Sequence, residues 1–151
     1  MTLTCPPTVI VRHPRENPRK CSVWPLRGRA DLVFLNYPVP QRPNLAGYVR
    51  LAADGPELSL ADAVAGVLLL DGSWRRAAAM IRDFADVAPR SLHGWQTAYP
   101  RVSKLGTDPD NGLASVEALY IAHHILGRPT EGLLEHYRWR EEFLRRNGLE
   151  G

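Results

Sequence analysis

Asp71-Gly72-Ser73-Trp74 brings an acid, a small hydroxyl and an indole together directly after the apolar run Gly66-Val67-Leu68-Leu69-Leu70. A carboxylate can hold positive charge or take a proton, a serine hydroxyl can bond a polar ligand, and an indole offers a broad flat wall. An apolar run that stops at an acid and a glycine, followed by Arg75-Arg76-Ala77-Ala78-Ala79-Met80, reads as a buried parallel strand turning into a helix. Open α/β sheets bind ligands at such corners. There the first N–H groups of the helix are unpaired and can hold a carboxylate or phosphate. Asp71 and Ser73 are therefore either the helix cap, the default for these residue types, or part of the chemistry. Trp74, beside an acid and two arginines, weighs towards a pocket that grips something flat.

A second corner of this kind is the loop Gly106-Thr107-Asp108-Pro109-Asp110-Asn111-Gly112, which runs into a helix over Ser115–Leu126. A third strand-to-loop corner falls at Asn36-Tyr37-Pro38. Closely spaced metal ligands are missing: there is no CxxC or HxxxH pattern, and no phosphate-loop, GxSxG or GxGxxG pattern either. Cys5 and Cys21 are too few for a disulfide framework and fit a reducing cytoplasm. No signal peptide and no membrane-length apolar run is present, so a soluble cytoplasmic protein is expected.

Charge is uneven along the 151 residues. Residues 1–50 hold eight Lys/Arg against two Asp/Glu, whereas residues 51–151 hold eleven against fourteen. The basic first third, with Arg12, Arg15, Arg19, Lys20, Arg27 and Arg29, is either a solvated face or a surface that meets a polyanion such as nucleic acid.

The elements that must position these residues follow from patterning. Strands are expected at Thr8–Arg12, Asp31–Leu35, Tyr48–Leu51 and Gly66–Leu70, with a further short one near Arg101-Val102-Ser103. Glu57–Ala63 reads as a short helix with Ser59 and Asp62 at capping-box spacing. The helix after Trp74 carries a core stripe of Ala77, Met80, Ile81, Phe84 and Ala85 and stops before Pro89. In the Ser115 helix, which ends at Gly127, His123 and His124 face different directions, so one packs and one is exposed. Thr130 can cap a last helix reaching Gly148, with its arginines and glutamates forming a salt-bridged solvent face.

With these corners in place, the chain resembles the superfamily that joins the small-subunit rRNA aminocarboxypropyltransferases to the DTW-domain proteins. Asp71-Gly72-Ser73-Trp74 followed by Ala77 resembles the DTW motif, and Asn17-Pro18-Arg19-Lys20-Cys21-Ser22 resembles the rRNA enzymes' early segment. Leu113-Ala114-Ser115-Val116-Glu117-Ala118-Leu119 resembles a Leu-Ser-x-x-Glu-Ala signature found in both, and Tyr137-Arg138-Trp139 with Phe143-Leu144-Arg145-Arg146-Asn147 resembles the aromatic-rich tail. Departures are Asn17 for Asp, Val23 for Gly, and the altered 107–112 loop.

The resemblance implies a SPOUT-like α/β fold, with an N-terminal α/β lobe over 1–88 bearing the RNA-facing segment and a knotted C-terminal lobe over 89–151 completing the donor pocket. It implies S-adenosylmethionine as co-substrate, and transfer of its 3-amino-3-carboxypropyl group to a uridine-type base in rRNA or tRNA. By the same resemblance Trp74, Ala77, Tyr99 and Leu113 wall the pocket, while Ser22, Pro38, Ser73, Ala114 and Ser115 complete it. Asp71 assists loss of the acceptor proton or holds the donor's positive charge. Arg12, Arg15, Arg19, Lys20, Arg75, Arg76 and Lys104 are the expected phosphate contacts; no metal is expected, and a monomer is favoured. The rivals are a SPOUT-type RNA methyltransferase, a non-catalytic RNA- or ribosome-binding module, and an enzyme with a small-molecule acceptor.

Overall fold

The structure is a computed structural model that describes residues 6–14, 23–71, 74–99 and 113–149, the side chains of 74–77 excepted. Its strands are β1 (Thr8–Arg12), β2 (Leu32–Asn36), β3 (Tyr48–Leu51), β4 (Gly66–Asp71) and β5 (Ala88–Arg90), all parallel, in the order β2-β1-β4-β3-β5. Helices α1 (Trp74–Asp83), α2 (Ser115–Leu126) and α3 (Arg140–Arg146) complete the described elements, with short 3-10 turns at Trp24–Leu26 and Leu60–Asp62.

β1 and β4 pair in the middle of the sheet and bury both faces, which is why each reads as an almost unbroken apolar run. Ile10 and Leu69 point to the face covered by Leu119 and Ile121 of α2 and by Phe143 of α3. Val9, Val11 and Leu68 point to the other face, under Met80 of α1 and Phe84. The boundary expected after residue 88 falls inside β5, and residues from both sides of it share the first of these cores.

Tyr48 lies across the start of β4, its hydroxyl donating to the Pro7 carbonyl at 2.7 Å. A Cβ on Gly66 would collide with the Tyr48 ring. Gly66→Ala is therefore expected to cost about 1–3 kcal/mol through overpacking. Urea unfolding of the variant checks this; an unchanged midpoint would contradict the close approach.

Several elements differ from the sequence expectation. Pro89, which the sequence presents as a helix stop, sits in β5, which among the described residues is bonded on one side alone, to β3, where a missing N–H is tolerated. In the stripe of α1, Met80 is buried but Ile81 is 40% exposed, because the helix seats on Met80 and Phe84 and Ile81 lies a third of a turn away. Ala85 is also exposed, just past the helix end. The last helix is much shorter than Thr130–Gly148: Gly132 takes φ +79, off the helical path, and Tyr137 turns inward to Glu117 before α3 begins at Arg140. Ser59 and Asp62 do form a capping box, on a 3-10 turn rather than a longer helix. The strand expected near 101–103 and the loop 106–112 lie outside the described residues.

His123 is packed and His124 exposed. The His123 ring joins α2 to β1: its Nε2 meets Thr8 Oγ1 at 2.9 Å and its Nδ1 meets the Pro129 carbonyl at 3.0 Å. Because a carbonyl can only accept, the proton sits on Nδ1 and Nε2 accepts from the threonine. Burial pushes this imidazole below its ordinary 6.5, against smaller opposing effects of the Pro129 hydrogen bond and Asp31. The unfolded chain therefore binds this proton before the native one does. The His123 contribution to stability is fully present above pH 6.5 and is lost as pH falls from there towards the lowered native value. Urea unfolding at about pH 7.5 and about pH 5.5 should show the acid loss in the wild type and less of it in His123→Gln.

Candidate functional site

The chain leaves β1 towards β2 on one flank of the sheet and leaves β4 through α1 towards β5 on the other. Diverging connections of this kind open a crevice at the carboxyl ends of the two strands. Arg12 and Asp71 are the last residues of β1 and β4 and stand opposite each other in register. Arg12 Nε lies 3.4 Å from Asp71 Oδ2, with both side chains a tenth exposed or less. On the other oxygen, Ser115 Oγ, at the first position of α2, donates to Asp71 Oδ1 at 2.5 Å. The Asp71 main-chain carbonyl accepts the His13 N–H at 3.0 Å. The carboxylate is thus a fixed negative charge at the switch point, held from two sides.

Trp24 backs the arginine. The Arg12 guanidinium lies 4.4 Å from the centre of its ring and that of Arg27 4.7 Å, both within cation–π range. Phe34 of β2 braces the indole edge to face.

Two residues further along α2, Glu117 is fully buried and accepts four hydrogen bonds. Thr97 Oγ1 (2.6 Å) and the Ala114 N–H (2.8 Å) donate to Oε1; the Ala98 N–H (2.8 Å) and the Tyr137 hydroxyl (2.9 Å) donate to Oε2. Ala114 precedes α2 and has no side-chain acceptor, so only the return half of a capping box is made here. Beside this hub the Tyr99 ring meets Trp139 at 5.1 Å, Tyr137 meets the same indole at 5.8 Å, and the Arg138 guanidinium lies 5.4 Å from its centre.

Of the residues expected at the site, the fold brings Asp71 and Ser115 into direct contact, and Glu117 ties buried Ala114 and half-buried Leu113 and Tyr99 to the same helix start. Pro38 is exposed just beyond Asn36, which stands in register with Arg12, so it shares this edge of the sheet. Trp74 opens α1, but its side chain and those of Arg75, Arg76 and Ala77 lie outside the described residues, as do Ser22, Ser73, Arg15, Arg19, Lys20 and Lys104. Arg12 requires a correction. Expected among the phosphate contacts, it is 6% exposed and faces Asp71 and Trp24 rather than solvent.

Trp24, Tyr137 and Glu117 are not among the site residues the sequence points to, although the last two stand in stretches that carry the resemblance. Trp24 and Tyr137 carried no local signal of their own roles. Glu117 did carry one, since it is the single charged residue before the histidines in Ser115-Val116-Glu117-Ala118-Leu119-Tyr120-Ile121-Ala122, a helix otherwise fit for burial.

These features define an α/β protein with a parallel sheet, an acid–arginine pair at its switch point and a helix start closing over that pair. Among solved structures the chain is similar to the SAM-dependent rRNA:acp-transferase Tsr3 from Vulcanisaeta distributa, with a TM-score of 0.70 and 23% sequence identity over 94% of this chain and 79% of that one. At this identity the likeness shows a shared fold. No protein-family model matches the chain, and no curated protein matches it. Among the described residues no helix is long and apolar enough to cross a membrane, and no three His, Cys, Asp or Glu side chains gather as metal ligands.

Proposed function

We propose that this protein transfers the aminocarboxypropyl group of S-adenosylmethionine to a uridine-type base in rRNA or tRNA, as a cytoplasmic monomer. The observation that carries the proposal is the Arg12–Asp71–Ser115 constellation at the switch point of a sheet with the fold of an rRNA:acp-transferase. The SPOUT-like and DTW kinship, the RNA-facing lobe over 1–88 and the knotted donor lobe over 89–151 belong to the same proposal and rest on the sequence resemblance.

The residues present fit such a donor. Asp71 supplies a buried carboxylate for its positive charge, Tyr99 and Leu113 supply apolar and aromatic wall, and Ala114 and Ser115 supply the polar start of α2. Pro38, Ser22, Ser73, Trp74 and Ala77 complete the proposed pocket. Bound there, S-adenosylmethionine supplies a sulfonium with three electrophilic carbons, and the placement of the acceptor decides which one reacts. Ser115 and Arg12 keep the Asp71 carboxylate at one place and one orientation. It can then serve as the charge partner of the donor or take up the proton that the acceptor nitrogen loses.

Arg15, Arg19, Lys20, Arg75, Arg76 and Lys104 are proposed to hold the RNA backbone. RNA affinity should then fall steeply with added salt, the logarithm of the association constant dropping linearly with the logarithm of salt concentration. Filter binding over a salt series checks this, and a flat response would remove phosphate contacts from the account. The transferred group itself is read by mass spectrometry of nucleosides from treated RNA, because an aminocarboxypropyl and a methyl adduct differ greatly in mass. A methyl adduct would make the protein a methyltransferase on the same fold.

A further inference from the structure

Tyr99 and Leu113, the two walls assigned above to the donor pocket, lie outside every strand and helix of the described residues. Among the described residues no sheet register or helix repeat sets the distance between them. One side chain spans the gap. Glu117 Oε2 takes the N–H of Ala98, the neighbour of Tyr99, and Oε1 takes the N–H of Ala114, the neighbour of Leu113. The Thr97 hydroxyl that also donates to Oε1 accepts the Tyr99 N–H at 3.0 Å, so the Tyr99 backbone is anchored twice to the same carboxylate. The Tyr137 hydroxyl on Oε2 brings in the segment that carries Trp139, whose ring packs on Tyr99.

We infer that Glu117 is a positioning residue: by clamping the two backbone N–H groups on its two oxygens it sets the separation of the pocket walls, and with it the affinity for the sulfonium donor. This rests on the donor reading of the preceding section. The four donors come from three chain segments that meet on this carboxylate, and it is fully buried, so water cannot replace the clamp.

Glutamine separates positioning from simple support. It keeps the size of the side chain but replaces one oxygen with an NH2 group. A hydroxyl of Thr97 or Tyr137 can turn to accept from that group, whereas the backbone N–H on the same side cannot. Whichever way the amide lies, one wall loses its clamp.

The test is a calorimetric titration of the full chain with S-adenosylmethionine at a temperature where circular dichroism shows each variant folded. Glu117→Gln should bind at least about tenfold more weakly than wild type. In the RNA transfer assay its donor KM should rise by more than its kcat falls. Wild-type affinity in folded Glu117→Gln would overturn the inference and leave Glu117 a support of the fold alone. Should that variant fail to fold, Glu117→Asp takes its place: it keeps the charge and both acceptor oxygens but is one methylene short, so it cannot hold the Ala98 and Ala114 N–H groups at their present separation; weaker donor binding upholds the inference and unchanged binding overturns it. A wild-type protein that binds no S-adenosylmethionine would overturn the donor reading itself, and this inference with it.

Discussion

Asp71→Asn is expected to keep the fold and to lower transfer by at least about 100-fold, the low end of what a positioned acid or base contributes. Asparagine retains an oxygen for the Ser115 hydroxyl, so the local geometry has a reason to persist. What it removes is the negative charge that faces the Arg12 guanidinium in a site 6% exposed. Breaking a buried pair from one side costs about 2–4 kcal/mol, so the thermal midpoint should also fall, and turnover must be measured well below it. Ser115→Ala offers the contrast. It removes one neutral donor, costs about 1 kcal/mol, and should lower transfer by much less. Full turnover in folded Asp71→Asn would take the carboxylate out of the mechanism.

The second large effect is on stability. Glu117→Ala strands two backbone N–H groups and two hydroxyls at a point no solvent reaches. At about 1–3 kcal/mol for each unsatisfied buried group, with partial relief from rotating hydroxyls, the loss should reach about 4 kcal/mol or more. That is a large share of the roughly 5–15 kcal/mol that holds a typical domain together. Tyr137→Phe, which removes a single donor and leaves the carboxylate three others, should cost only about 1 kcal/mol. Urea unfolding compares the two. A Glu117→Ala protein within about 1 kcal/mol of wild type would mean that the hub does not bear on stability as its burial implies.

The strands were legible in the chain because β1 and β4 are buried on both faces and so announce themselves as apolar runs. β5 was hidden by its proline, a residue that local reasoning takes as a helix stop and that only the edge position in the sheet makes acceptable. The helix expected from Thr130 failed for a tertiary reason. Its apolar spacing was sound, but Tyr137 is needed by Glu117, and the chain reaches that contact by turns rather than by helix.

The site divides along the same line. Asp71 could be singled out because an acid ending an apolar run is a local signal. Arg12 ends an apolar run too, but the basic loop that follows it in sequence masks that signal. Its pairing with Asp71 depends on the register of β1 against β4, and a register between strands so far apart in sequence leaves no local mark. Ser115 was placed near the pocket by resemblance, and the fold gives it a physical task, that of holding Oδ1 of Asp71. Trp24 shows the limit of spacing arguments most plainly: its task is to cover a guanidinium, and that neighbour is set by the sheet.

The central claim is that the pocket directs the aminocarboxypropyl carbon, and not the methyl, towards an RNA base. The measurement that reaches it most directly uses purified protein, cellular RNA and two preparations of S-adenosylmethionine, one labelled in the methyl group and one in the aminocarboxypropyl chain. The account predicts label in RNA from the chain-labelled donor alone. Label from the methyl-labelled donor alone would contradict it and make the protein a methyltransferase built on the same sheet.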